Sequence, residues 1–175
     1  MVNSTARKIT LAITSIIREV IVHLPDEYSK FRVRYYNKNG CKISSKATLS
    51  PNVRLRGFVE IGPGSSIAQN SSVNGMKAGV YIGENVMIAP NVVIVAFNHG
   101  MTECALPMVK QPCIEAAIHI EDDVWIAANV TIGMGVRIGK GSIIGANSFV
   151  NKDIPPYSVA GGVPVKVIKG RSGDF

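Results

Sequence analysis

A parallel β-helix, an all-β solenoid of six-residue repeats entered through an amphipathic helix, is the fold this sequence predicts. Three observations carry the prediction. An aliphatic residue recurs at every sixth position over most of the chain, small residues and glycine fill the positions between, and aromatic residues are scarce. The 175 residues are 46% hydrophobic but only 6% aromatic, with 17 glycines. Such a core must be made of small aliphatics packed around tight turns. The length suits one compact domain.

The first element is helical. Ile9, Ile13, Ile16, Ile17, Val20, Ile21 and Leu24 follow the three-four spacing of one helix face, and Pro25 stops the pattern. An amphipathic helix here is expected to cover the open end of the solenoid, whose edge would otherwise invite aggregation. A helix lying on a membrane surface is the second reading. His23, near its end, reads as structural.

After Gly40 the period changes to six. Ile43, Leu49, Leu55, Ile61, Ile67 and Val73 are aliphatic, as are Ile82, Ile88, Ile94, and then Ile120, Ile126, Ile132, Ile138, Ile144 and Val150. Ile, Leu and Val make up 47 of the 175 residues, so chance would give such a run at about 10⁻⁸. A six-residue unit is a short strand and a turn. Three units close a triangular coil of about eighteen residues, stacking at the ~4.8 Å strand spacing with the register aliphatics inward. About five such coils fit before Pro155. Small or β-branched residues such as Ala47, Val53, Ser65, Ser71, Val86, Val124, Ser142 and Ser148 come four positions after the register residue. They let the coil turn its corners.

The repeat breaks twice. Val73 to Ile82 spans nine residues and Ile94 to Ile120 spans twenty-six. The second break begins Phe97-Asn98-His99-Gly100 and is too long for a turn. Long ordered loops on rigid scaffolds tend to carry function. The organisation predicted is therefore a helix and lead-in segment over 1–40, then a β-helix over 41–175 with an inserted loop over 95–119.

Lysine and arginine number 19 against 12 acidic residues, a formal charge of +7, and eleven of the nineteen lie between Arg7 and Arg56. A basic end suggests an anionic partner. Arg32, Arg34, Lys38, Lys42 and Lys46 match no nucleic-acid motif, so the reading is a solvated basic face, or one turned to an anionic membrane or a phosphorylated sugar carrier. Cys41, Cys104 and Cys113 lack the spacing of a disulfide framework or zinc site. No apolar run reaches the ~18 residues needed to span a bilayer, and no cleavable leader is evident. The expected location is cytosolic, including the inner face of the membrane.

Val124-Trp125-Ile126-Ala127-Ala128-Asn129-Val130 and the stretch from Ile144 to Ile168 (IIGANSFVNKDIPPYSVAGGVPVKVI) resemble the hexapeptide-repeat acetyltransferases, particularly the galactoside, maltose and polysaccharide O-acetyltransferases. The resemblance is strong over 80–169, weaker over 43–79 and absent from the N-terminal helix. It implies a left-handed β-helix, against the usual crossover rule, and a homotrimer with active sites in the grooves between subunits. It also implies acetyl-CoA as co-substrate and a sugar or polysaccharide precursor as acceptor. His99 takes the place of the general base. A hydroxyl is a poor nucleophile until its proton is removed, and imidazole titrates near operating pH. Asn70 is the candidate to hold the acceptor or orient His99, with Glu103 as another support for the imidazole. His119 is expected to face outward. Trp125 is implied to line the coenzyme groove, backbone groups at Ala128 and Ala146 to bind the pantetheine amides as an added strand, and Lys152 and Lys169 to meet its phosphates. Gly161, Gly162 and Pro164 shape the turn near the adenine. The chain departs from the pattern at Ala127, Gly161 and Val165, where similar enzymes more often carry Gly, Ala and Ala.

Other readings carry less. A γ-type carbonic anhydrase shares the solenoid, but a catalytic zinc needs about three protein ligands. Beyond the helix-borne His23, the chain offers only His99 and His119. No metal is expected. A non-enzymatic scaffold, transfer to an amino group instead of a hydroxyl, and Cys104 as an acyl-carrying nucleophile stay open on sequence.

Overall fold

In the computed structural model, residues 4–172 are described. Each coil is three short strands, and like strands stack into three parallel sheets that form the faces of a prism. The first face carries Lys42–Ile43, Val59–Ile61, Val80–Ile82, Ile118–Ile120 and Arg137–Ile138. The second carries Thr48–Leu49, Ser66–Ile67, Met87–Ile88, Trp125–Ile126, Ile143–Ile144 and Ser158–Gly161. The third carries Arg54–Arg56, Ser72–Asn74, Val93–Val95, Thr131–Ile132 and Phe149–Val150. Register residues pair with register residues: Ile43 with Ile61, Ile61 with Ile82, Ile82 with Ile120, and Ile120 with Ile138. The fifteen register aliphatics are all buried, and they form the axial core. The hexapeptide period thus specifies both the strand and its neighbour.

The corners explain the serines and asparagines. At four corners a buried serine, Ser65, Ser71, Ser142 or Ser148, takes up backbone groups that no strand partner satisfies. Ser65 Oγ donates to the Gly83 carbonyl (2.7 Å) and accepts the Val86 N–H (2.9 Å), while Ser148 Oγ donates to Gly145 O and accepts the Gly162 N–H. Asn52, Asn70, Asn91, Asn129 and Asn147 turn the corner between the second and third faces with φ near +60°, a region asparagine tolerates well. Their side-chain amides form a ladder, Asn52 to Asn70 (2.9 Å) and Asn91 to Asn129 to Asn147 (3.1 Å each).

Both interruptions leave the prism at one edge, between the third and first faces. The shorter lies between Ser72–Asn74 and Val80–Ile82, and the longer between Val93–Val95 and Ile118–Ile120, one coil above it. Glu115 joins them: its Oε2 accepts the N–H groups of Lys77 (2.9 Å) and Ala78 (3.0 Å). At the C-terminal end Lys166–Gly170 folds back antiparallel on Ser158–Gly161 and ends the parallel stack.

The N-terminal region differs from expectation. The first helix, α1 (Ser4–His23), does not lay its apolar stripe on the solenoid. A second helix, α2 (Ser29–Lys38), which the sequence did not single out, covers the first coil, burying Val33, Tyr36 and Arg32 against it. Arg32, read from sequence as part of a basic surface, is fully buried and donates to the carbonyls of Leu49, Leu24, Pro25 and Asp26. The α1 helix is anchored by Val22, which is buried and whose carbonyl accepts the Asn52 N–H (2.8 Å), and by Glu19. Ile13, Ile16, Ile17 and Val20 are 52, 64, 47 and 58% exposed. The side chain of Ile9, also assigned to that stripe, lies outside the described residues.

Arg54 donates to both Glu19 oxygens (3.1 and 2.8 Å), and this hydrogen-bonded pairing holds the Glu19 carboxyl at about 2, below its ordinary 4.5. A depressed carboxylate contributes to docking above pH 4.5 and loses that contribution as pH falls toward 2. Hydrogen exchange of the α1 amides, corrected for intrinsic rate, is expected to accelerate over that window relative to the solenoid. A Glu19→Gln variant should show no step there.

Candidate active site

The long excursion is an ordered hairpin. After the buried Ala96, Phe97–Asn98 pairs antiparallel with Ile114–Glu115, and the Ala116 N–H closes onto the Ala96 carbonyl at 3.0 Å. Gln111, nearly buried, pins the tip: its Nε2 donates to the carbonyls of Glu103 (2.9 Å) and Leu106 (2.7 Å), and its Oε1 accepts the Glu103 N–H. Gly100 passes so close beneath this segment that a Cβ would stand 2.6 Å from the Pro112 carbonyl oxygen. The small residue after His99 therefore sets the turn that carries it.

That hairpin holds His99 exposed, with Nδ1 3.7 Å from Cys113 Sγ and the ring edge-on to Phe97 at 5.8 Å. Beside it runs a groove of about 520 Å³, lined by Phe97, His99, Thr131, Met134, Phe149 and Asn151 among others. The thiol beside the imidazole belongs to Cys113. Glu103 is held through its backbone by Gln111, and Cys104 is exposed at the hairpin tip. His119 stacks on Tyr81 (4.8 Å, 8°) on the first face.

The other sequence-derived residues fall elsewhere on the prism. Asn70 belongs to the asparagine ladder, at the start of the third face, whereas His99 departs from its far end. The asparagine on His99's own edge is Asn74, whose carbonyl accepts the Ala96 N–H at 2.9 Å. Asn74 follows the register residue Val73 as Val95 follows Ile94, so counting from the register would have found it. Trp125, 45% exposed, lies on the second face in register with Met87 and Ile143. Ala128 and Ala146 turn the corner between the second and third faces. The Ala128 carbonyl is taken by the Asn147 N–H (3.0 Å), while among the described residues Ala146 makes no backbone hydrogen bond. Gly161 ends the last strand of that face, and a Cβ there would meet only ordinary contacts, 3.4 Å from Ile168 and 3.5 Å from Ser148. The alanine common in similar enzymes would fit. Lys169 is exposed on the returning strand, and Lys152 is exposed just past Asn151 of the His99 groove; neither forms an ion pair among the described residues.

One chain therefore splits the candidate residues into two sets. His99, Asn74 and Lys152 lie at the edge of the third face, and Trp125, Ala128, Ala146, Gly161 and Lys169 lie on or beside the second. The first set offers a base beside a groove. The second offers a flat ring and free backbone amides, which suit an extended ligand carrying amides of its own. Among the described residues no cluster of three or more His, Cys, Asp or Glu is arranged to hold a metal ion.

The chain is a triangular solenoid with an imidazole on an inserted hairpin, and it is similar to hexapeptide-repeat proteins. The family model described as bacterial transferase hexapeptide (six repeats) matches residues 117–152. The chain resembles the hexapeptide-repeat acetyltransferases: it is 44% identical over 90 residues to galactoside O-acetyltransferase of Escherichia coli (strain K12), 51% of this chain and 43% of that enzyme. A galactoside acetyltransferase structure in complex with coenzyme A superposes with a TM-score of 0.74 at 29% identity, covering 97% of this chain and 84% of that one. A hexapeptide-repeat acetyltransferase from Vibrio cholerae O1 biovar eltor, complexed with acetyl coenzyme A, gives 0.73 at 28% identity over 95% and 90% of the two chains. The sequence matches span less than half of the curated relatives, 43% of the E. coli enzyme and 31% of another.

Proposed function

We propose that the protein transfers an acetyl group from acetyl-CoA to a hydroxyl of a sugar or cell-surface polysaccharide precursor, with His99 as general base. The observation that carries this reading is the position of His99, exposed on a pinned hairpin beside a groove, with Nδ1 3.7 Å from Cys113 Sγ. In the tautomer whose Nδ1–H faces the sulfur, Nε2 is left to accept the proton of the acceptor hydroxyl as its oxygen attacks the thioester carbonyl. The tetrahedral intermediate expels the CoA thiolate, which takes the proton from the imidazolium. Asn74 is the nearer of the two asparagines to hold the acceptor.

The coenzyme would lie along Trp125 and the corner at Ala146, its amides meeting the free backbone groups there, with Lys152 and Lys169 near its phosphates. Trp125, Ala146 and Lys169 sit on a different face of one chain from His99 and Lys152. A homotrimer that sets the second face of one copy against the third face of the next would complete the site between them.

The test is a panel of acceptors incubated with acetyl-CoA, following both free CoA and product mass. Hydroxyl-bearing saccharides are expected to gain one acetyl group. Acetylation confined to amino-sugar nitrogens would replace the O-transfer reading, and CoA release from no acceptor would remove it.

A further inference from the structure

The α1 stripe is turned outward, and its surroundings point to what it meets. Ile13, Ile16, Ile17 and Val20 form one exposed face of α1, and Phe31 of α2, 51% exposed, extends it. Between the helices lies an open groove of about 420 Å³ lined by Ile17, Ile21, Phe31, Arg34, Tyr35 and Lys38. On α2 the exposed Lys30, Arg34 and Lys38 stand at i, i+4 and i+8, one above another, and none forms an ion pair among the described residues. Nearby acids do not cancel them: Glu19 is held by Arg54 and Arg18, leaving only Asp26 and Glu27 at the turn before α2.

We propose that this α1–α2 face docks the protein on an anionic lipid surface. An aliphatic stripe bordered by a basic row is the pattern of an interfacial helix, with side chains entering the headgroup boundary and cations facing phosphates. A second copy presenting the same face is a poorer occupant. Pairing the face with itself brings Lys30, Arg34 and Lys38 against their own like, in a chain whose formal charge is already +7. Among the described residues no helix is long and apolar enough to cross a membrane, so the contact is to the surface. The inference stands independently of the transferase reading. If both hold, the acceptor is met at the membrane, as a glycan on a lipid phosphate carrier would be.

The full chain is incubated with phosphatidylcholine vesicles, with or without phosphatidylglycerol, and co-sedimentation is measured. Binding is expected only with the anionic lipid and should weaken as salt rises. Lys30→Gln, Arg34→Gln and Lys38→Gln should each lower partitioning about five-fold, and Ile16→Ser and Val20→Ser about ten-fold each. All five side chains are exposed, so circular dichroism should be unchanged. No binding by the wild type, or wild-type binding by the variants, overturns the proposal. So does a fall in oligomeric state on Ile16→Ser and Val20→Ser, which would assign the stripe to a second copy.

Discussion

Replacing His99 with alanine is expected to lower the rate of acetyl transfer by about 10²–10⁴-fold, with little change in KM for acetyl-CoA. The ring is exposed and makes no core contact, so thermal stability should not move. Loss of kcat without loss of coenzyme binding is the signature of a group acting only in the transition state. Cys113 refines the test. If its sulfur fixes the imidazole, Cys113→Ala should cost about 10- to 100-fold through misorientation, whereas Cys113→Ser, whose oxygen can accept the same N–H, should retain most of the rate. Cys104→Ala should behave as wild type. An active His99→Ala variant would remove the general base, while a fully active Cys113→Ala alongside an inactive His99→Ala would remove only the positioning role.

The largest expected effect on folding belongs to Arg32. It is fully buried and donates to four backbone carbonyls, three of them (Leu24, Pro25 and Asp26) in the link between α1 and α2 and one, Leu49, in the first coil. Burial lowers its pKa from the usual arginine value, and the nearby Asp26 carboxylate offsets part of that shift. The guanidinium itself is hydrogen-bonded only to backbone carbonyls. Arg32→Leu removes every donor at once and leaves buried acceptors unpaired, at a cost of about 3–5 kcal/mol. Arg32→Lys should recover only part of this, because a single ammonium cannot reach carbonyls spread around a planar fork. Urea unfolding measures both. A change below about 1 kcal/mol for Arg32→Leu would mean that water replaces the guanidinium and that Val33, Tyr36 and the hydrogen bonds of Ser29 and Asn37 suffice to hold α2.

How much was legible in the sequence follows from what periodicity can encode. The solenoid was, because each register aliphatic must point to the axis and a one-residue slip would expose the set. The excursion carrying His99 was visible as a break in that period. The hairpin's supports were not: Gln111 and Glu115 act by bonding distant backbone amides, which leaves no periodic trace. Nor was the partner of His99 visible, since Cys113 meets it only through antiparallel pairing fourteen residues away. Asn70 was put forward by resemblance alone, with the nine-residue break between it and His99, and in the structure it is a corner residue in a ladder. The N-terminal helix was legible as amphipathic, but periodicity identifies an apolar face without saying what it faces. The short α2 did the capping with Val33 and Tyr36.

Both irregular segments leave the prism at one edge and are tied together by Glu115. An excursion that departs and returns at the same rung asks nothing of the strands above and below except that the next register aliphatic arrive in place, as Ile120 does on Ile82. Length and composition along that edge can change without disturbing the register of the other two. A coil of this design can alter the surface it presents at one margin while its folding code stays untouched.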